Sequence, residues 1–509
     1  MIVCVKSCGI NGLDGFIVSV ETDVRKGFPS FDIVGLPDSS VKEAKERVKS
    51  ASANSDIKFP YNNVILVNLA PTGLKKAGPS YDLPIALGIL SGSFKVNRKI
   101  FDTTLFTGEL SLDGSVRRVD GILPMVLHGK KEGFTTFVVP YDNRNEAALV
   151  KGIDIIPVRN LKECCEYING KYPIPPYTAE PSVLNTGFAE PDLDFKDVKG
   201  QENVKRAMLI AAAGMHNIIM TGPPGSGKTM MAKRLPTILP DMTFDESIEV
   251  TKIYSVAGLI KDKSALIANR PFRSPHHTIS NAAMVGGGKF PRPGEVSLSH
   301  NGVLFLDEFP EFSRDVLEEL RQPLEDSEIT ISRVNGTMTY PANLMLVGAM
   351  NPCPCGYYGY SDRCHCSHNQ IIRYKNKISG PLLDRIDIQV EASGINYGKI
   401  SSVKPGESSE SLKKKVTAAQ KIQTERYKNE SFRFNSRLTA SKIDKYCPLG
   451  DKERALIKTA FERLSLSARS YHKILKIART IADLEGNENI SLSNLAEALS
   501  LRGSDRNSE

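Results

Sequence analysis

The stretch HNIIMTGPPGSGKTMMAKRL, residues 216–235, decides the fold of this chain. Its apolar run Ile218–Met220 predicts a short buried parallel strand, and Met230–Leu235 returns to helical spacing. Between them lies G-x-x-x-x-G-K-T, the P-loop pattern, in the strand-to-helix context that gives the pattern its meaning. Backbone amides of such a loop close around phosphate oxygens, and the following helix N-terminus adds partial positive charge. The stretch predicts a nucleotide site on an α/β sheet, and the alternative is a glycine-rich turn without a ligand.

The loop divides into a phosphate cradle and two polar ligands. We expect Lys228 to reach the β- and γ-phosphates and Thr229 to hold Mg²⁺, so ATP and Mg²⁺ are the predicted cofactors. The cradle itself consists of Gly222, Pro223, Pro224, Gly225, Ser226 and Gly227.

The composition is that of an ordinary globular protein with several domains. A chain of 509 residues is too long for one core, and 40% hydrophobic with 24% charged residues is typical of such proteins. No apolar run approaches the roughly 18 residues of a membrane span, and the start of the chain does not resemble a signal peptide, so we expect a cytoplasmic protein. Nine cysteines, an odd number, argue against a disulfide framework. The net charge of +8 permits an acidic partner such as nucleic acid.

Residues 1–170 alternate Val/Ile-rich runs with helical stretches and predict a small α/β domain. Lys76-Ala-Gly-Pro-Ser80 and the later run that begins at Thr107 resemble the proteolytic domain of Lon, whose fold is that of ribosomal protein S5 domain 2. In this resemblance Ser80 matches the catalytic serine, and the lysine position falls on Leu123. A serine needs a base to lose its proton, and leucine offers none. The domain is therefore predicted to be inactive as a peptidase, with a structural or partner-binding role.

The rest of the chain divides into a linker and two further domains. Several prolines without periodicity mark residues 171–194 as a linker. Residues 195–393 are predicted to form the ATPase core, and the mostly helical residues 394–509 a C-terminal domain. Basic clusters in that domain alternate with acidic residues, which is typical of a solvated face.

Two more buried runs end in polar side chains. Gly302–Glu308 looks like a Walker B motif, in which Asp307 binds Mg²⁺ through water and Glu308 acts as general base on the attacking water. A pair of carboxylates after an apolar run is common, but its position downstream of a P-loop makes it specific. Leu344–Asn351 is the second run, and Asn351 matches the sensor 1 position of AAA+ ATPases, where it orients the water.

Two segments are predicted to reach a polynucleotide. Residues 270–294 are rich in glycine, proline and basic side chains, and a solvated surface loop is the alternative. Val334-Asn-Gly336 lies between alternating runs, which is a strong hairpin signal. The order of insert, Walker B, hairpin and sensor resembles the AAA+ branch of magnesium chelatase and the MCM helicases. Since such elements face the pore in related motors, the predicted DNA contacts are Lys289, Arg292 and Arg333.

Four cysteines form two C-x-C pairs, Cys353 with Cys355 and Cys364 with Cys366. Four thiolates could surround one Zn²⁺, although these pairs are tighter than the usual C-x₂-C knuckle. His365 or His368 could substitute for a thiolate. The alternative is a group of isolated buried thiols.

Two arginines are expected to act at the nucleotide. The segment Ser379–Asp387, SGPLLDRID, resembles the one that carries the arginine finger in chelatase and MCM-type ATPases, so Arg385 would act on a neighbouring subunit. A structural ion pair of Arg385 with Asp384 or Asp387 is the alternative. Arg469 lies near the start of a helix that resembles the sensor 2 helix of the AAA+ lid domain, where it would touch the nucleotide, and a surface arginine is the alternative.

Together these motifs are similar to the ComM/YifB family of magnesium-chelatase-like AAA+ proteins over nearly the whole chain, notably in RPFRSPHHTIS, PRPGEVSLSHNGVLFLDEFPEF and SGPLLDRID. The resemblance implies a Lon-like N-terminal domain, an AAA+ P-loop core with a doubly wound parallel sheet, and a helical lid. It also implies a ring, a hexamer, that remodels DNA by branch migration or helicase action in recombination or natural transformation (competence). A chelatase-type motor or a protein-remodelling ATPase is the alternative function.

Overall fold

A computed structural model of the protein describes residues 2–92, 99–179, 193–260, 266–288, 291–333, 336–360, 362–394, 406–463 and 466–502. They form two compact units. The first comprises Met1–Phe188 together with Thr243–Ala268, and the second comprises Ala189–Met242 together with Asn269–Glu509. The segment Thr243–Ala268 thus belongs to the first unit, whereas the sequence boundaries placed it in the ATPase core. The reason is packing, because Ile248 and Leu266 lie against an apolar cluster of the first unit.

The first unit is built on a mixed seven-stranded sheet with the order β3-β4-β2-β1-β5-β8-β9. Strands β1, β2 and β4 pair antiparallel, and the remaining neighbours pair parallel. A separate two-stranded ladder joins β6 to β7. The bounds are β1 Ile2–Asn11, β2 Asp14–Lys26, β3 Ser30–Val34, β4 Asn63–Ala70, β5 Thr104–Phe106, β6 Glu109–Leu110, β7 Val116–Arg117, β8 Thr136–Pro140 and β9 Asp154–Val158.

The first helix of this unit, Ser39–Asn54, begins with a side-chain cap, since the carboxylate of Asp38 accepts the amide of Val41 at 2.8 Å. The start of the predicted linker extends along the edge of the sheet, where the Tyr177 amide donates to Ile155 O at 2.8 Å in β9. The α-helices are Ser39–Asn54, Asp82–Leu90, Ile100–Thr103, Ile122–Lys131, Arg144–Ala147, Leu161–Ile168 and Phe244–Val256, the last of which lies in the inserted segment Thr243–Ala268.

Leu123, at the position where a Lon-type peptidase would carry its lysine, is a packing residue. Its side chain is fully buried in an apolar cluster with Val126 and the inserted Leu266. Its amide donates to Glu146 Oε1 at 3.1 Å, and the hydroxyl of Ser255 donates to the same oxygen. Burial raises the pKa of Glu146 above its usual value. This region of the first unit therefore packs against the helix Phe244–Val256 and the residues that follow it.

The second unit contains a five-stranded parallel sheet in the order β11-β14-β17-β10-β18. The strands are β10 Ile218–Thr221, β11 Phe272–Arg273, β14 Val303–Leu306, β17 Met345–Met350 and β18 Ile388–Glu391. All residues of β14 and β17 are buried, as expected for strands covered on both faces. The predicted parallel sheet of the AAA+ core is confirmed, and β10, which leads into the P-loop, lies between β17 and β18.

Two antiparallel ladders extend this core. Strands β15 Glu328–Arg333 and β16 Gly336–Pro341 pair with Arg333 opposite Gly336, which is the predicted hairpin. Strands β12 Gly286–Gly287 and β13 Arg292–Pro293 form a shorter ladder.

The C-terminal part of the second unit is helical, and its helix Ala468–Glu485 buries Ile474, Ile477, Ala478 and Ile481, which recur at three- and four-residue steps. This helix ends at Gly486, whose φ of 71° suits the left-handed cap. The α-helices of the unit are Glu202–Gly214, Lys228–Arg234, Asn281–Val285, Glu295–Leu298, Arg314–Glu319, Arg321–Asp326, His368–Lys375, Gly380–Leu383, Ser409–Arg426, Ile443–Tyr446, Asp451–Arg463, Ala468–Glu485 and Leu492–Ser500. Among the described residues, no helix combines the length and the apolar character that a bilayer span requires.

Candidate nucleotide site

The P-loop connects β10 to the helix Lys228–Arg234. Gly225 and Gly227 have φ angles of 75° and 86°, a conformation that glycine adopts without steric cost. The ammonium of Lys228 donates to Gly222 O at 2.7 Å and to Pro223 O at 3.0 Å, so the lysine lies folded across its own loop. Burial lowers the pKa of Lys228, and the nearby carboxylate of Asp307 acts in the opposite direction.

The two predicted magnesium ligands are in contact. The hydroxyl of Thr229 donates to Asp307 Oδ2 at 2.6 Å, which joins the first turn of the P-loop helix to the end of β14. Hydroxyl and carboxylate oxygens are hard donors of the kind that Mg²⁺ prefers. The donor set therefore fits this ion.

Glu308 directly follows Asp307 and has a left-handed backbone, with φ 51° and ψ 44°. Its amide donates to Asp307 Oδ1 at 2.9 Å. A non-glycine residue in this conformation costs on the order of 1–3 kcal/mol, and such residues cluster at functional sites. Its side-chain Oε2 lies 3.3 Å from Nδ1 of His277.

His277 was not singled out as a site residue from the sequence. It belongs to RPFRSPHHTIS, one of the stretches that carry the family resemblance, and the centroid of its ring lies 4.2 Å from that of His276. The sequence signal that could have marked His277 as a site residue is the pair of adjacent histidines shortly after a strand of the nucleotide-binding sheet. The link to Glu308 arises because β11 and β14 are neighbours.

Asn351 and Gln201 contact the P-loop from two other segments. Asn351 follows β17, and its Oδ1 lies 3.4 Å from Nζ of Lys228. Gln201, which no sequence motif marks, donates from Nε2 to Ser226 O at 3.1 Å and to Ser393 O at 2.6 Å. The structure thus brings together Walker A, Walker B and the sensor 1 position at one edge of the sheet.

The two arginines predicted to act at the nucleotide have acidic partners within the chain. Arg385 pairs with Glu325 and donates to Pro381 O at 2.8 Å. Its sequence neighbours pair elsewhere: Asp387 lies 3.1 Å from Lys473, and Asp384 lies 4.0 Å from Arg469. The predicted alternative of an Arg385 pair with Asp384 or Asp387 is therefore not the arrangement that the structure contains.

The four cysteine sulfurs converge. All four lie within 4.8 Å of one another, and three of the separations are 3.3, 3.6 and 3.8 Å. Four sulfurs held tetrahedrally about 2.3 Å from Zn²⁺ would be about 3.8 Å apart, so the cluster has the right size for this ion. A backbone hydrogen bond from Tyr357, with the neighbouring thiols, lowers the pKa of Cys355 to about 6. The thiols are therefore not isolated ones, and the tight C-x-C spacing does not prevent convergence.

The basic residues predicted to contact DNA are only partly covered by the structure. Lys289 lies outside the described residues. Arg292 lies in β13, and Arg333 ends β15 with an exposed side chain. A methyl carbon built on Gly287 would lie 3.6 Å from Nη2 of Arg333, so the hairpin packs beside the shorter ladder. The hydroxyl of Tyr340 strengthens this contact by donating to Pro291 O at 2.8 Å.

The parallel sheet, the P-loop and the adjacent carboxylates define a P-loop protein of the AAA+ fold. Family models agree: "Magnesium chelatase, subunit ChlI" matches residues 194–400, "Subunit ChlI of Mg-chelatase" residues 20–143, and "Magnesium chelatase, subunit ChlI C-terminal" residues 406–502. The chain belongs to the ComM/YifB family of magnesium-chelatase-like AAA+ proteins.

Full-length relatives support this assignment. The chain is 43% identical over 497 residues to competence protein ComM of Haemophilus influenzae, covering 96% of this chain and 95% of that protein. It is 40% identical over 496 residues to YifB of Escherichia coli, covering 97% and 96%. A shorter match, 35% identical over 100 residues, joins 19% of the chain to 18% of Lon protease 2 of Bacillus subtilis.

Proposed function

We propose that this protein is a ring-forming cytoplasmic ATPase that couples ATP hydrolysis to the remodelling of DNA, by branch migration or helicase action during recombination of incoming DNA. The observation that carries the ATPase part is the hydrogen bond of Thr229 to Asp307 beside Lys228. A P-loop lysine, a hydroxyl and a carboxylate meet there as phosphoryl transfer requires.

The side chains divide the work of hydrolysis. The ammonium of Lys228 would exchange its two loop carbonyls for β- and γ-phosphate oxygens, and Thr229 and Asp307 would hold Mg²⁺. When bound, this ion neutralises charge that develops on the phosphates. Glu308 accepts a proton from the attacking water, and the amide of Asn351 orients that water.

Arg385 and Arg469 supply the argument for a ring. Among the described residues of one chain, Arg385 pairs with Glu325 and Arg469 with Asp384, and neither pairs with a Walker carboxylate. We infer that they act on the nucleotide of a neighbouring subunit, where guanidinium groups neutralise charge on the γ-phosphate. A closed ring, which we take to be a hexamer, gives every subunit such a neighbour.

DNA as the substrate rests on the two hairpin segments and on the relatives. Arg292 and Arg333 lie on adjoining ladders, and the net charge of +8 favours a polyanion. The full-length relative ComM is a competence protein. A chelatase-type motor and a protein-remodelling ATPase remain the competing functions.

The four-cysteine cluster is proposed to bind one structural Zn²⁺, on the basis of the converging sulfurs. Protein purified without chelator should then contain about one zinc per chain, as expected for a closed four-thiolate site. A Cys353→Ser, Cys355→Ser double variant should lose it.

The deciding experiment is ATP turnover with no DNA, single-stranded DNA, duplex DNA and a four-way junction, with Lys228→Ala as the control for contaminating activity. We expect stimulation by DNA, and unwinding or branch migration of the junction. Turnover that depends on Lys228 but no DNA binding at low salt would contradict the DNA assignment and favour a protein substrate.

A further inference from the structure

The four-cysteine loop lies directly against the P-loop. Gly356, next to Cys355, has a φ of 86°, and its amide donates to Cys353 O at 3.0 Å. A methyl carbon built on Gly356 would lie 2.6 Å from Cδ and 2.7 Å from Cγ of Pro224. Carbon atoms in favourable contact are about 3.5–4.0 Å apart. The turn between the cysteines therefore touches the phosphate cradle with no room for a side chain.

The same turn also adjoins the predicted sensor residue. The methyl carbon built on Gly356 would lie 3.7 Å from Cγ of Asn351, whose Oδ1 lies 3.4 Å from the ammonium of Lys228. Cys353, which anchors the turn, is fully buried and accepts the Tyr358 amide at 3.3 Å on its sulfur. One turn thus borders both the cradle and the water-orienting amide.

Other segments hold the remaining sides of the P-loop. Gln201 binds the carbonyl of Ser226, and the backbone of Gly222 lies against Ala392, where an added methyl carbon would be 2.4 Å from Ala392 O. The cysteine loop supplies a further support at Pro224. A binding loop that is held in its bound conformation loses less entropy when the ligand arrives, which increases affinity.

We propose that the cysteine loop is a brace for the P-loop, in which Gly356 is a positioning residue and closure of the four-thiolate site sets the affinity for nucleoside triphosphate. The inference rests on the zinc and ATP sites proposed above. It adds a role for the metal, which acts on nucleotide binding through the contact between Gly356 and Pro224 and takes no part in the chemistry.

Gly359 provides a matched control in the same loop. Its φ is 79°, close to that of Gly356, but nothing lies within 4 Å of a methyl carbon built on it. Alanine at either position meets a similar backbone penalty, and only Gly356→Ala presses on the cradle. In the full-length protein we expect Gly356→Ala to weaken binding of a fluorescent ATP analogue by about tenfold or more, and Gly359→Ala to change it by less than about twofold. Zinc content should equal that of the parent in both variants.

A second substitution, Pro224→Ala, distinguishes the effect of the contact between residues 356 and 224 from general misfolding. Pro224→Ala removes the two ring atoms that the new methyl group would meet, so Gly356→Ala combined with Pro224→Ala should bind the analogue about as well as Pro224→Ala alone. Equal affinities of the two glycine variants, or a double variant as weak as Gly356→Ala, would overturn the brace.

Zinc removal tests the metal dependence separately. Stripping the parent with a chelator should weaken analogue binding, and adding back Zn²⁺ should restore it. Unchanged affinity after measured loss of zinc would overturn the role of the metal. Protein that contains no zinc would refute the zinc assignment itself, and the comparison of the two glycine variants would then decide whether the loop still braces the cradle.

Discussion

The two units of this chain both carry a sequence typical of an enzyme, but their polar side chains are arranged differently. In the second unit Lys228, Thr229 and Asp307 meet across two strands. In the first unit the hydroxyl of Thr107 donates to the backbone carbonyl of Ser80 at 3.2 Å and lies 4.0 Å from Sδ of Met125. Leu123 is buried in apolar surroundings. A glycine- and proline-containing motif therefore predicts the backbone that it shapes, whereas chemistry also requires the partner side chains.

The largest expected effect concerns Arg385. If it acts in a neighbouring site, Arg385→Ala should bind ATP but hydrolyse it more slowly by roughly 10³-fold. Mixing it with Lys228→Ala protein should restore part of the turnover, since each variant offers what the other lacks. Absence of rescue in rings shown to be mixed would assign Arg385 to its own subunit and to its Glu325 pair.

Removal of the general base should have the next largest effect. Glu308→Gln keeps the shape of the side chain but cannot accept the proton, so turnover should fall by about 10² or more while ATP still binds. Nucleotide binding and single-turnover hydrolysis are measured separately, with Lys228→Ala as the variant that loses binding. Near-normal turnover in Glu308→Gln would contradict the base assignment and weaken the contrast between the two units.

A smaller effect is expected at the hairpins. Arg292→Ala with Arg333→Ala should weaken binding to all DNA sequences alike, and should flatten the plot of log affinity against log salt concentration by about 0.7–0.9 per lost phosphate contact. Arg373→Ala, an exposed arginine on the helix His368–Lys375, is the control for removal of one positive charge. An unchanged salt slope in the hairpin variant would remove these residues from the DNA interface.

The smallest expected effect is in the first unit. Ser80→Ala should leave ATP turnover and DNA binding within about twofold of the parent, because a serine without a base is no nucleophile. Leu123→Ala is the comparison variant for stability. Because Leu123 is buried, its loss should lower the free energy of unfolding by about 2–5 kcal/mol. Peptide hydrolysis that disappears in Ser80→Ala would show that the first unit retains chemistry.

Local patterns were sufficient for much of the fold. The apolar runs, the P-loop glycines and Asn-Gly predicted the central strands and the hairpin, because each depends on nearby residues. Contacts between distant segments were not predictable in this way, and they include His277 with Glu308, Gln201 with Ser226, and Gly356 with Pro224. Arg385 shows why. The acidic residues near it in sequence, Asp384 and Asp387, are the expected partners, whereas its partner in the structure is Glu325, 60 residues away.

The chain leaves the P-loop helix, contributes residues Thr243–Ala268 to the first unit, and then returns to the second. A fragment that ends near residue 170 would consequently lack the helix Phe244–Val256 and expose the apolar side chains that Ile248 and Leu266 cover. After a single protease cut in the linker, the two units would still be joined covalently on both sides of the segment Thr243–Ala268. The two units are joined by three peptide crossings, so separating them takes three cuts.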